Sequence, residues 1–355
     1  MNTHTIDTST PAIPADDYDT TAFFADPGAI ATVTNTTDSQ TVPLPTPDAS
    51  TAELLAAVHE AGRRTVPAPF AETALVARPL LRRAGLSVPE GPLTYAIAPQ
   101  LTVRHAHPAA SAVGSAGSAG EDDTLLVAGT LRRVPWARTA TAVVVLANAP
   151  FGPVLFTLTP DQAVLAPGAN LAEEARDDLH LASVEIPAAQ VRRIPRELLE
   201  EAELRAALAR AALIAGAGQR CVELTVAHTT ARTQFGRPLS RFQAVKQEEA
   251  KLIEEAALVR AAVQAAAAPL DAGTAAARFA IAGAKTQASA SAAEIARIAH
   301  QLHGAIGITK LHPLHLATTR LWSWRDEDGD ETTWAAGLAR TLTADTLWAA
   351  LTSTP

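Results

Sequence analysis

From Pro195 onward the chain reads as long helices built largely from alanine and leucine. "RELLEEAELRAALARAALIAGAGQRCVELTVAHTTAR" places Leu204, Leu208 and Ala211 on one stripe. Phe242, Val245, Leu252, Ile253, Val259 and Val263 continue the three-four spacing in the next segment. A third helix, near 273–302, aligns Ile295, Ile298 and Leu302. Side chains this small let helix axes approach closely, so residues 195–355 are expected to form a helical bundle.

The first half differs. Residues 1–49 are rich in Thr, Ser, Pro and Asp and carry no sustained apolar period, which predicts a mobile tail. "STAELLAAVHEAGRR" then opens on Ser50 with Glu53 three positions on, a capping box, and Leu54, Leu55 and Val58 give that helix an apolar face. "AETALVARPLLRRAGL" follows as a second short helix, bent at Pro79 and ended by Gly85. These make a small helical head over 50–90. Over 91–194, short branched runs such as "LTYAIAP", "TAVVVLA" and "PVLFTLTP" alternate with Gly, Pro, Asn and Asp, the pattern of an antiparallel β domain. "GSAGSAGEDD" (114–123) reads as a flexible loop inside it. The fold class is α+β: helical head, β middle, helical bundle.

A chain of 355 residues holds two or three such units, and at 4% aromatic its cores must be filled by small and branched aliphatic residues. The net charge of −8 argues against a nucleic-acid binder. A single cysteine, Cys221, excludes a disulfide framework and a thiolate metal site within one chain. No apolar run reaches the length of a membrane span, and the start lacks the basic and apolar regions of a secretory signal. A cytoplasmic location is expected.

Two stretches carry chemistry. "ARTQFGRPLSRFQA" (231–244) puts a cation, an amide and a ring on a tight bend between helices. Arg232 there complements a helix C-terminus, or offers a guanidinium to a phosphate; Gln234 and Phe235 plug the bend, or meet a flat ligand. "HQLHGAIGITKLHP" (300–313) ends a long helix with Gln301, then Gly304 and Gly307, which serve as a helix cap or let backbone amides approach an anion. His300/His303 and His312/His315 form two HxxH pairs, but Gln301 and Gly304 interleave the first and Pro313 interrupts the second, so no metal centre is expected. "RDEDGDE" (325–331) has Gly337 where a calcium loop needs its twelfth-position glutamate, and reads as a solvated acidic turn.

Taken together, the two stretches, about seventy positions apart, resemble the acyl-CoA dehydrogenase family. In that family one helix ends in Arg-x-Gln-Phe-Gly and a later one in Gln-x-x-Gly-Gly-x-Gly, and both bind the FAD of a neighbouring subunit. The first motif is complete here and is followed by "RFQA"; in the second, Ala305 replaces the middle glycine. The likeness spans roughly 50–350 and implies a shortened N-terminal helical part, a middle antiparallel β domain and a C-terminal four-helix bundle. It implies that Arg232 meets the flavin pyrophosphate and that Gln234, Phe235, Gln243, Gln301, Gly304 and Gly307 support the adenosine half.

Family members desaturate an acyl-CoA thioester with a glutamate base, and the position of that glutamate falls on Asp328. Its alternative position, on the helix before the arginine motif, falls near Arg205 or Ala206, neither of which is a base. "AIAPQLTVRH" and "LRRVPWARTA" stand where the family has segments that hold the flavin ring. The chain thus resembles the non-catalytic subunit of heteromeric α2β2 acyl-CoA dehydrogenases, a group known for steroid side-chain degradation. The implied partners are a catalytic subunit, a bulky acyl-CoA and an electron-transfer acceptor. A self-sufficient homo-oligomer using Asp328, and a non-enzymatic CoA-binding or structural protein of the same fold, are the alternatives.

Overall fold

The computed structural model describes residue 46 and residues 49–106 and 124–341. Most of the expected tail over 1–49, the loop at 114–123 and the chain end past 341 lie outside the described residues. The first helix, α1 (Thr51–Arg63), starts with the capping box: the Ser50 N–H donates to Glu53 Oε2 at 2.7 Å and the Glu53 N–H to Ser50 Oγ at 3.3 Å. A π-helical stretch, Glu72–Ala77, runs directly into α2 (Arg78–Arg83). Pro79 has no N–H for the Leu75 carbonyl, and that oxygen accepts instead from Arg205 Nη1 at 3.4 Å. The irregularity expected at the proline is therefore a widened turn just ahead of it.

The β domain contains β1 (Leu93–Ile97), β2 (Thr102–His105), β3 (Leu125–Pro135), β4 (Ala142–Ala149), β5 (Gly152–Leu158), β6 (Val164–Ala166), β7 (Arg176–Ile186) and β8 (Val191–Arg193). They form two four-stranded sheets, ordered β1-β4-β5-β8 and β2-β3-β7-β6. Every pair is antiparallel save β1 with β4, which is parallel. The chain leaves the first sheet after β1, builds β2 and β3 in the second, and re-enters beside β1 running the same way. Val143 and Val145 of β4 fill the space between the sheets, whereas Val144 and Leu146 face the helices. A strand buried on both faces shows no alternation, which is why "AVVVLA" is uniformly apolar.

The bundle follows as α3 (Arg196–Ala231), a ribbon of β9 (Thr233–Gln234) and β10 (Arg237–Pro238), α4 (Gln243–Ala265), α5 (Ala267–Ala272), α6 (Thr274–His303), α7 (Leu314–Trp324) and α8 (Glu331–Thr341). Its axis is α3, packed against α1, α4, α6 and α7, while the shorter α7 and α8 close the side that α4 leaves open. Leu204, Leu208 and Ala211 are buried as expected, but so is nearly every residue from 202 to 218. The helix is enclosed all round rather than on one stripe. In α4, Leu252, Val259 and Val263 face inward and Ile253 is exposed, since adjacent residues stand about 100° apart on a helix. Where α1 crosses α3 the two backbones touch: a Cβ on Gly216 would lie 2.0 Å from the His59 carbonyl, and one on Gly62 would lie 2.4 Å from that of Leu213. Only glycine fits there.

Candidate functional site

The bend after α3 is a tight hairpin. The Arg232 N–H closes the helix on the His228 carbonyl at 2.8 Å, and Gln234 pairs with Arg237 across the turn. Phe235 and Gly236 occupy the turn at φ 53° and 78°, a two-residue loop of the primed type. Left-handed backbone is uncommon for an aromatic residue, and the Phe235 side chain is 91% exposed. Its nearest ring is Phe242, edge-on at 6.2 Å, which the Arg237 guanidinium covers at 4.1 Å. Gln243 is the first residue of α4.

Gln301 lies in the last turn of α6, and Gly304 ends that helix at φ 63°. Gly307 is buried instead, where a Cβ would sit 2.7 Å from that of His303; packing alone accounts for this glycine. The two stretches meet through three imidazoles. His228, four residues before Arg232, stacks on His303 at 4.6 Å, and His312 tilts against His303 at 4.6 Å. The ends of α3 and α6 are thereby held side by side. The side chains of Arg232, Gln234, Gln243 and Gln301 are exposed and have no hydrogen-bond or ion-pair partner among the described residues. An unpaired guanidinium, three free amides and a bare ring suit a flat ligand carrying phosphate.

The HxxH pairs of the sequence diverge. His300 bonds Thr318 Oγ1 at 2.9 Å, and His315 bonds the His312 carbonyl at 2.8 Å. His303 and His312 turn instead toward His228, a residue that no local spacing connects with them. Burial pushes the His303 imidazole down to about 4 and lowers His228 and His312 as well, so all three are neutral at pH 7.

A cavity of about 960 Å³ opens on the other side of the molecule's core, between β1, the end of β3, residues 169–171 and the end of α7. The segments "AIAPQLTVRH" and "LRRVPWARTA" supply much of its wall, including Ala96, Gln100, Arg132 and Arg133. Its floor is a network of charges. Arg210, on α3 and 2% exposed, donates from Nη1 to Glu72 at 2.8 Å and from Nε to Asp328 at 2.8 Å, with Glu327 at 3.2 Å. Arg176 holds Glu327 through two bonds of 2.8 Å and also reaches Glu174, which accepts from Trp324 Nε1 at 2.9 Å. The Tyr95 hydroxyl donates to Asp328 Oδ2 at 2.8 Å.

The electrostatics follow from these pairs. Burial alone would raise the Glu327 carboxyl, but the guanidiniums of Arg210 and Arg176 outweigh it and bring it down to about 2. Burial and the neighbouring Asp328 carboxylate push the Tyr95 phenol well up, keeping it a donor. Glu327, 12% exposed, is thus a largely enclosed counter-ion, which corrects the expectation of a solvated acidic turn; two guanidiniums draw it inward. Of that turn, Asp330 caps α8 by accepting from the Thr333 N–H at 2.8 Å, and Asp326 stays exposed.

Asp328 borders the cavity, yet its Oδ2 receives both a phenol and a guanidinium. A general base needs a lone pair turned to the substrate, and Oδ2 is instead taken up by these two donors. Nor is there a base at the alternative position: Arg205 pairs with Glu201 at 2.7 Å, and Ala206 is buried.

Residues 202–330 match the profile of "Acyl-CoA dehydrogenase, C-terminal domain". The chain is 42% identical over 112 residues to a protein described as acyl-CoA dehydrogenase IpdE2 of Mycobacterium tuberculosis, and 40% identical over 112 residues to its namesake in Mycolicibacterium smegmatis. These matches take in 31% of this chain and only 33% and 34% of the two relatives. Among solved structures, the chain superposes on the ChsE4-ChsE5 complex from Mycobacterium tuberculosis with a TM-score of 0.69 at 21% identity, over 85% of this chain and 81% of that one. A steroid ACAD variant gives 0.67 at 23% identity, over 82% and 80%. A glutaryl-CoA dehydrogenase from Mycobacterium smegmatis gives 0.68 at 20% identity, over 84% and 81%. At these identities the superpositions show the shared fold. No helix among the described residues is long and apolar enough to cross a membrane.

Proposed function

We propose that the protein completes the FAD site of a catalytic acyl-CoA dehydrogenase subunit; residues 202–330 match that family's C-terminal domain, and the described chain has its fold. The observation that carries the reading is an asymmetry. The residues that would contact a neighbour's cofactor (Arg232, Gln234, Phe235, Gln243 and Gln301) are exposed and unpartnered at one end of the bundle, with Gly304 and Gly307 in the adjoining turn. The residue in the place of the chain's own base is bound to Arg210 and Tyr95. FAD, when bound, supplies the acceptor for the hydride that leaves the acyl-CoA. This chain's part is to hold the adenosine half, with Arg232 against the pyrophosphate. An α2β2 heterotetramer with a bulky, steroid-like acyl-CoA is the matching assembly, supported by likeness to a steroid ACAD and to a complex of two differently named chains.

Expression alone and with a candidate catalytic chain tests this. Alone, the protein is expected to be nearly colourless and inactive toward acyl-CoA; together, the two chains form a tetramer carrying two FAD. Flavin absorbance and light scattering read both outcomes. A yellow, active homo-oligomer with one FAD per chain would reject the proposal and favour Asp328 as a working base. A stable chain with no flavin in either preparation would favour a structural or CoA-binding role.

Asp328 gives an independent check. In the assembled enzyme Asp328→Asn leaves turnover within about twofold, whereas loss of a general base lowers the rate by roughly 10²–10⁴. A drop of that size at unchanged flavin content would place the chemistry in this chain.

A further inference from the structure

We propose that His228, His303 and His312 form a zinc site that clips together the ends of α3 and α6 and the segment entering α7. One ring nitrogen from each residue lies within 4.8 Å of the other two. Zinc holds imidazole nitrogens at about 2.0–2.1 Å, so ligands of a tetrahedral site stand about 3.3 Å apart, and closure asks the nitrogen separations to shorten by at most about 1.5 Å.

His303 is set up as a ligand. It is 5% exposed, and its Nδ1 lies 2.7 Å from the Ala299 carbonyl, an oxygen that can only accept. The proton is therefore on Nδ1 and the lone pair on Nε2, and Nε2 is buried without a partner. A backbone carbonyl that fixes the tautomer from behind is the usual support of a metal-bound imidazole. Such an orphaned nitrogen is costly to bury unless something occupies it.

The other two rings can follow. His228 has no hydrogen-bond partner among the described residues and is half-buried, so it can turn out of its stack on His303. His312 accepts at Nδ1 a 3.2 Å bond from the N–H of Leu314. Leu314 opens α7 and is buried, so ligation by His312 costs this capping bond, a loss that the new zinc–nitrogen bond must offset. Three neutral imidazoles with no carboxylate suit zinc, with water completing the fourth position. Such a clip would fix the end of α3, and with it Arg232, but the site needs neither flavin nor a partner chain to bind its ion.

Calorimetric titration of the tag-free, chelator-stripped protein with zinc chloride tests the proposal, with cobalt substitution reporting geometry. The expected result is one zinc per chain and the visible bands of tetrahedral cobalt. His303→Ala should weaken binding by on the order of 100-fold or more. His315→Ala, which removes the neighbouring HxxH histidine outside the cluster, should leave it unchanged. If His303→Ala does not fold by circular dichroism, the half-buried His228→Gln serves in its place and is expected to show the same loss. Zinc binding that is absent, unaffected by these changes, or lost equally in His315→Ala would overturn the site. Flavin content is measured separately, so this outcome does not touch the reading of Arg232.

Discussion

Arg210→Ala destabilises the folded chain by about 3–5 kcal/mol, because removing one partner of a buried ion pair leaves charge without compensation. Arg210 alone touches Glu72, Glu327 and Asp328, carried by the head, and by the turn that follows α7. The substitution leaves Glu72, 2% exposed, without its cation, while Glu327 keeps Arg176 and Asp328 keeps the Tyr95 hydroxyl at the cavity wall. Urea unfolding followed by circular dichroism measures it, and a loss below about 1 kcal/mol, the range of an exposed pair, would mean that the network is open to solvent. The wild-type network also has an acid limit. Glu327 titrates at about 2 in the folded chain against an ordinary 4.5, so its contribution is complete above 4.5 and is lost as the pH falls toward 2.

Arg232→Ala in the assembled enzyme weakens FAD retention by roughly 10- to 150-fold, the range of a charge-assisted bond worth about 1.5–3 kcal/mol. The fold itself should not notice. The Arg232 side chain has no partner among the described residues, and its backbone bonds to His228 and from Leu239 survive the change. Equal melting temperature with lower flavin occupancy at dilution is the expected signature. Unchanged flavin affinity would remove Arg232 from the site, and a lowered melting temperature of the isolated chain would make it a structural cap instead.

The helical half is legible because its signals are local: alanine-rich periodicity, glycine at the ends of helices, and a turn written as Gln-Phe-Gly-Arg-Pro. The capping box at Ser50 and Glu53 is a three-residue rule and holds to the atom. The stretches at 231–244 and 300–313 stand out by residue type, yet their meeting at one end of the bundle rests on His228, whose neighbours in space are 75 and 84 positions away (303 − 228 and 312 − 228). The charge network is illegible for the same reason. Arg210 and Glu327 lie 117 positions apart (327 − 210), and "RDEDGDE" by composition alone belongs in water. Two arginines inside the otherwise apolar stretch 204–218 were the available sign, since Arg205 and Arg210 can be buried only if anions come to meet them.

One rod, α3, carries Arg210 near its middle and Arg232 at its end, a separation of 22 residues or roughly 33 Å at the helical rise. Enzymes commonly keep their reacting groups in destabilising surroundings, because a carboxylate made comfortable is a carboxylate made idle. On the proposed reading this chamber is excused from chemistry and free of that conflict. Its charges can relax onto one another, and what would have been the weakest region of the fold can serve as the brace between head, β domain and bundle. On the proposed reading, stability gathered around Arg210 supports precision at Arg232: the chain gives up turnover in one place and stiffens the arm it extends into another.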